Sequence, residues 1–178
     1  MRRLSTFVAP LVLSFALTTA PAAAQNVPQK LQPLSVAVGT WVYHGADMAT
    51  ADQKGGKWMW WEKCRWSDNH AFIACSFVMN GPEAGKVVKS LAISTYNSGD
   101  GSYWHYEAFD SGGDGGHPFI SRMTVAGATW TYDGKAGNQT YRVIYRYDSP
   151  VKVTLRIEKS TDGVQWTTVA QAVGRKQA

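Results

Sequence analysis

The chain reads as all-β: an antiparallel up-and-down meander of about ten strands closed into a barrel, with a short N-terminal helical turn. Three observations predict this. Nearly every segment after residue 38 alternates apolar and polar side chains with a period of two, as half-buried strands do. The segments are short and bounded by glycine, asparagine and aspartate in hairpin-forming combinations. No stretch after residue 38 sustains a helical period. An open meander would expose two strand edges, which closure removes. A β-sandwich is the alternative, but sandwiches use longer crossover connections than this chain offers.

Residues 1–24 carry a positive head (Arg2, Arg3), an apolar run from Phe7 to Leu17 and the small residues Ala22-Ala23-Ala24. That is the plan of a secretory signal cleaved near Ala24. The apolar run is shorter than the roughly 20 residues a membrane anchor needs. The mature protein is therefore expected to be exported, periplasmic or secreted, without a membrane span. Residues 25–37 form a lead segment, PQKLQPLSVAV before the first strand can make the helical turn, and residues 38–175 form a single barrel domain. Strands are expected to begin near residues 40, 57, 71, 87, 103, 118, 128, 139, 151 and 164.

The late strands show the pattern most cleanly. Val151, Val153, Leu155 and Ile157 alternate with Lys152, Thr154, Arg156 and Glu158. Tyr141, Val143, Tyr145 and Tyr147 alternate with Arg142, Ile144, Arg146 and Asp148. Ser149-Pro150 is the turn between them, and Asp133-Gly134 and Asp162-Gly163 are further turn signals.

The segment WMWWEKCRWSDNHAFIACSF, residues 58–77, reads as a hairpin turning at Ser67-Asp68-Asn69-His70. If Ser67 faces Phe72, Cys64 faces Cys75, and a cross-strand disulfide fits an oxidising compartment. Trp58, Trp60, Glu62, Cys64 and Trp66 then share one face, opposite Ile73, Cys75, Phe77 and Met79. Its apolar bulk points that face inward and leaves Trp61 on the outside.

The formal charge of +5 includes the two leader arginines, and the remaining basic residues are scattered singly. Nucleic-acid binding needs a massed basic surface and is excluded as a partner. No nucleophile elbow, zinc-binding His-Glu-x-x-His, phosphate loop or dinucleotide fingerprint occurs, so no catalytic residue is assigned. His44, His70, His105 and His117 are not spaced as metal ligands, and no metal or cofactor is implied. In YWHYEAF, His105 shares a face with Tyr103 and Glu107; Trp104 and Tyr106 make the greasier face and are expected to point inward. The glycine-rich loop DSGGDGGHP has too few carboxylates for calcium.

The candidate ligand-binding residues are Trp58, Trp60, Glu62, Trp66, Tyr141 and Tyr145, an aromatic wall with one buried acid. Pockets are mostly apolar with a few placed polar groups, and Glu62 suits such an anchor, paired with Arg122 or Tyr145. The expected partner is a small apolar or aromatic molecule in a void beside Trp60 and Tyr145. The alternatives are a barrel filled by its own side chains, serving structure or protein interaction, and an enzyme using His105, Glu107 or Glu62. A haem site would need His105 or His44 aimed at an apolar slot.

A helical turn leading into Val38-Gly39-Thr40-Trp41 and then a strand meander resembles the calycin group of lipocalins, fatty-acid-binding proteins and avidins. The resemblance makes Gly39 and Trp41 the barrel-floor motif, with the tryptophan under a basic residue from a late strand, Arg156 or Arg175. VGTW, STYNSGDGSYWHYEAFDSGG and the late hairpin with Ser160, Asp162-Gly163 and Trp166 are similar to a bacterial exported domain-of-unknown-function family (the DUF fifteen-seventy-nine type). That family has a lipocalin-like barrel and no established activity, so this likeness implies a fold and little beyond it.

Overall fold

A computed structural model describes residues 27–49, 54–81, 87–110, 118–136 and 139–178. The expected leader and the loop at residues 111–117 lie outside the described residues.

The chain enters through a 3₁₀ turn at Gln32–Ala37 with a proline in its first two positions, where a fixed φ and a missing N–H cost nothing. Ten strands follow: β1 (Gly39–Asp47), β2 (Gly56–Trp66), β3 (Phe72–Asn80), β4 (Val87–Asn97), β5 (Ser102–Phe109), β6 (Phe119–Ala126), β7 (Thr129–Ala136), β8 (Gln139–Ser149), β9 (Lys152–Ser160) and β10 (Thr167–Lys176). Each pairs antiparallel with its neighbours in sequence, and β1 closes the barrel against β10, from Trp41↔Lys176 to Asp47↔Ala170. The sheet is a closed meander, not a sandwich.

Closure gives the barrel two unlike ends. Odd strands run away from the 3₁₀ turn and even strands run back. Leu31, Leu34 and Ala37 are buried beneath the staves, and Trp41 Nε1 donates to Ala37 O at 2.8 Å. Tyr103 Oη donates to Lys30 O at 2.5 Å and fastens the lead segment to β5. The basic residue over Trp41 is Lys176, with Nζ 4.9 Å from the ring centroid and donating to Val36 O at 3.1 Å. It takes the place expected for Arg156 or Arg175. Both arginines are exposed on outward-facing positions, because strand alternation puts 175 and 156 on the face opposite Val153, Leu155 and Gly174.

The tryptophan hairpin has the expected register. Trp60↔Met79, Glu62↔Phe77, Cys64↔Cys75 and Trp66↔Ile73 are paired, and Cys64 and Cys75 form a disulfide with their Cα atoms 4.1 Å apart. Trp58, Glu62 and Cys64 are buried, while Trp61 is half-buried on the outer face.

Two local expectations are corrected. Asp133-Gly134 is not a turn; it lies inside β7. A Cβ on Gly134 would stand 1.4 Å from Cε2 of Phe119, so the glycine makes room for a ring rather than for a bend. In β5 the inward face carries His105, which is buried, while Tyr106 is exposed. The physical reason is register: His105 pairs with Ser94 and Ser121, both buried, and these polar groups accommodate an imidazole inside. A smaller shift affects β10, which begins at Thr167. The Asp162 carboxylate accepts from the backbone N–H groups of Val164 and Gln165 and holds those residues in the loop.

Candidate functional site

The barrel interior is filled at one end and hollow at the other. At the closed end Trp41, Tyr147 and Trp130 interlock, with ring centroids 5.9 Å apart for Trp41–Tyr147 and 4.9 Å for Trp130–Tyr147. Only a void of about 20 Å³ remains there, among Glu62, His105, Tyr132 and their neighbours. Above it lies a cavity of about 310 Å³. That is the lower end of the size range of small-molecule sites.

The cavity opens away from the 3₁₀ turn, because its walls come from the far ends of the strands: Asp47 of β1, Trp58 and Trp60 of β2, Met79 of β3, Phe109 of β5 and Phe119 of β6. Tyr132, Val143, Tyr145 and Ile157 close the opposite side. Alternation aims each of these inward from every second position. Trp58 and Trp60 stack at 5.5 Å with an interplanar angle of 21°, and Tyr43 leans on Trp60 at 4.8 Å. Trp58 Nε1 donates to Asp47 Oδ1 at 2.9 Å, which ties the ring to the rim. Burial raises the Asp47 carboxyl above its ordinary range, partly offset by this hydrogen bond. Trp60 Nε1 is buried with no hydrogen-bond partner and is sealed from the cavity space.

Of the six candidate ligand-binding residues, Trp58, Trp60 and Tyr145 line this cavity. Glu62 lies one layer deeper, on the small void. Trp66 sits at the closed end, 5.7 Å from His70, and Tyr141 donates to Gln139 Oε1 at 2.9 Å near the open rim; neither lines the cavity. Glu62 is paired with Tyr43, whose hydroxyl donates to Oε2 at 2.7 Å, rather than with Arg122 or Tyr145. Arg122 points outward and meets Asp100 and the face of Trp104.

Burial raises the Glu62 carboxyl to about 7; the Tyr43 hydrogen bond opposes the rise and the Glu107 charge adds to it. Its Oε1 lies 3.0 Å from Cys64 Sγ. A disulfide sulfur has no hydrogen to donate, so this contact becomes a hydrogen bond when Glu62 is protonated and its hydroxyl points at the sulfur. Burial, reinforced by the Glu62 charge, holds the Tyr43 hydroxyl well above its ordinary range. Burial does the same for Tyr132, Tyr145 and Tyr147, with neighbouring charges adding to it. The interior tyrosines are neutral donors at any physiological pH.

A second polar group escaped the candidate residues. Glu107, on β5, lines the cavity with its side chain 15% exposed. Ser90 Oγ donates to its Oε1 at 2.5 Å, and His105 Nε2 stands 3.5 Å from Oε2. Behind it His105 Nδ1 lies 3.0 Å from Ser94 Oγ, and the imidazole stacks on Tyr132 at 4.4 Å. Both ring nitrogens are engaged, and His44 is exposed on the outer face, so neither imidazole is aimed at an open apolar slot. Glu107 entered the sequence reading only through the enzyme alternative; it was left out of the ligand-binding set because its whole face was assigned to solvent.

A ten-stranded antiparallel meander closed into a barrel, plugged at one end and hollow and aromatic at the other, has a lipocalin-like fold. No family model matches the chain, and no curated protein matches it. Among solved structures it is similar to Rv2717c from M. tuberculosis, with 14% identity, TM-score 0.61 and coverage of 86% of this chain and 100% of that one. It is also similar to the S-type phycobiliprotein lyase CPES from Guillardia theta, with 9% identity, TM-score 0.57 and coverage of 83% and 92%. At these identities the likeness shows the fold.

Proposed function

We propose that the protein is an exported small-ligand carrier or sensor of the cell envelope, which takes a mostly apolar, aromatic or aliphatic molecule into the open half of its barrel. One observation carries this reading: the cavity of about 310 Å³ walled by Trp58, Trp60 and Tyr145. A barrel of this size can fill itself with side chains, and the lower half here does so. The upper half keeps space for about ten water-sized volumes at ~30 Å³ each. Leaving a hollow among aromatic rings forfeits dispersion contacts that a guest restores. The likeness in fold to Rv2717c and to a phycobiliprotein lyase supports the barrel architecture in which such a cavity forms. Among the described residues no helix is long and apolar enough to cross a membrane, and the disulfide suits an oxidising compartment.

Native mass spectrometry of protein purified from its own host tests the reading. The expected result is a fraction of molecules heavier than the chain by one small organic mass, lost on gentle activation and reduced by Trp60→Ala. Protein of bare chain mass that also fails to bind small neutral aromatic compounds such as indole would overturn it.

A further inference from the structure

We infer that the guest is an organic cation: a small apolar body bearing an ammonium group, which Glu107 and the surrounding ring faces hold. This rests on the reading of the cavity as a ligand site and names the chemistry of its occupant.

The polar groups of the cavity wall are one-sided. Apart from tyrosine hydroxyls and the indole N–H groups of Trp58, which donates to Asp47, and Trp60, which is buried, they are Asp47, Ser90 and Glu107, and among the described residues that line it there is no lysine, arginine or histidine. An anionic head would meet two carboxylates and no cation.

Glu107 is poised toward the cavity. Its two oxygens offer about four acceptor positions. Ser90 occupies one at 2.5 Å, and His105 approaches another at a long 3.5 Å. The contacts fix the carboxylate and leave it acceptor capacity on the cavity side. A carboxylate drawn into an apolar wall is costly unless a cation meets it. His105 Nε2 pairs with Glu107 from behind at 3.5 Å, and among the described lining residues no cation meets it from the cavity wall, so an incoming ammonium would be the complement on that side. The walls favour the same chemistry. Ring faces of tryptophan, tyrosine and phenylalanine attract cations, more strongly when the site is dry. Trp60, Tyr132, Tyr145 and Phe119 line the space with such rings, and Asp47 at the rim adds an attractive field for an approaching cation.

The test is calorimetric titration of the intact protein at neutral pH with three probes of one shape and different heads: 2-phenylethylamine, 2-phenylethanol and 3-phenylpropanoate. The expected order is amine, then alcohol, then carboxylate, with the amine at least about tenfold tighter than the alcohol, as a charge-assisted hydrogen bond gives. Glu107→Gln, checked for folding by circular dichroism, should bring the amine-to-alcohol ratio close to one. If that variant fails to fold, the wild-type ranking decides. Carboxylate binding equal to or tighter than amine binding overturns the inference, as does an amine-to-alcohol ratio that Glu107→Gln leaves unchanged. Alcohol binding without preference for the amine removes this inference and leaves the ligand-site reading standing. Binding of none of the three removes both.

Discussion

Glu62 makes stability depend on pH in a direction opposite to most carboxylates. It is fully buried, and its carboxyl is raised from the ordinary 4.5 to about 7. A group whose folded-state value lies above its unfolded value contributes stability that is complete below about 4.5. That contribution is lost as pH rises through about 7. At 1.36 kcal/mol per pH unit, the gap corresponds to about 3 kcal/mol between the two ends of the window. The perturbation is Glu62→Gln, which keeps the shape, lets the amide oxygen accept from Tyr43 and removes the charge. Urea unfolding of both proteins at pH 5 and pH 8.5 is the assay, and the comparison cancels every other titrating group. The two should be of similar stability at pH 5. At pH 8.5 the variant should be more stable by up to about 3 kcal/mol, or about 6–12 °C in Tm for a domain of this size. Parallel pH dependences in the two proteins, or a variant less stable at pH 8.5, would refute the burial argument.

Four further outcomes follow from the packing. Gly134→Ala should destabilise by about 1–3 kcal/mol by overpacking against Phe119, read in urea unfolding, and should change ligand binding because Phe119 lines the cavity. Cys64→Ser combined with Cys75→Ser should cost about 2–3 kcal/mol for loss of a short cross-link, and reduction of wild-type protein should lower its Tm comparably. Lys176→Met should cost about 1–2 kcal/mol, because it removes both the cation above Trp41 and the bond to Val36 O. Arg156→Ala and Arg175→Ala should each change stability by less than about 0.5 kcal/mol in the same assay, since both sit on the outer face.

Much of the fold was legible locally. Strand positions follow from a period of two that the chain keeps for over a hundred residues, and hairpin register follows from turn chemistry wherever the turn is tight. The Cys64–Cys75 pairing needed nothing more than the Ser67–His70 turn and a count along two strands. The candidate site was legible where one strand settles its own inward face by bulk, as with Trp58 and Trp60. It was illegible in β5, where both faces carry aromatic rings and bulk does not choose. There the partners decide: Ser94 and Ser121 on flanking strands give His105 a polar berth. Asp133-Gly134 misled for a related reason. A glycine that serves a turn and a glycine that yields space to a ring fifteen residues away are spelled the same.

By itself, then, the order of residues determined a β meander, its hairpins, its cross-strand disulfide and an indole-rich stave, since each depends on neighbours within a few positions. The tertiary structure alone decided that Lys176 caps Trp41, that Tyr43 partners Glu62, and that Glu107 looks into an unfilled half-barrel. The first depends on closing β1 against β10, the second on the β1–β2 register that sets Tyr43 diagonal to Glu62, and the third on stacking ten registers around one axis. In that geometry the distance between two side chains is fixed by the whole circumference rather than by the separation along the chain.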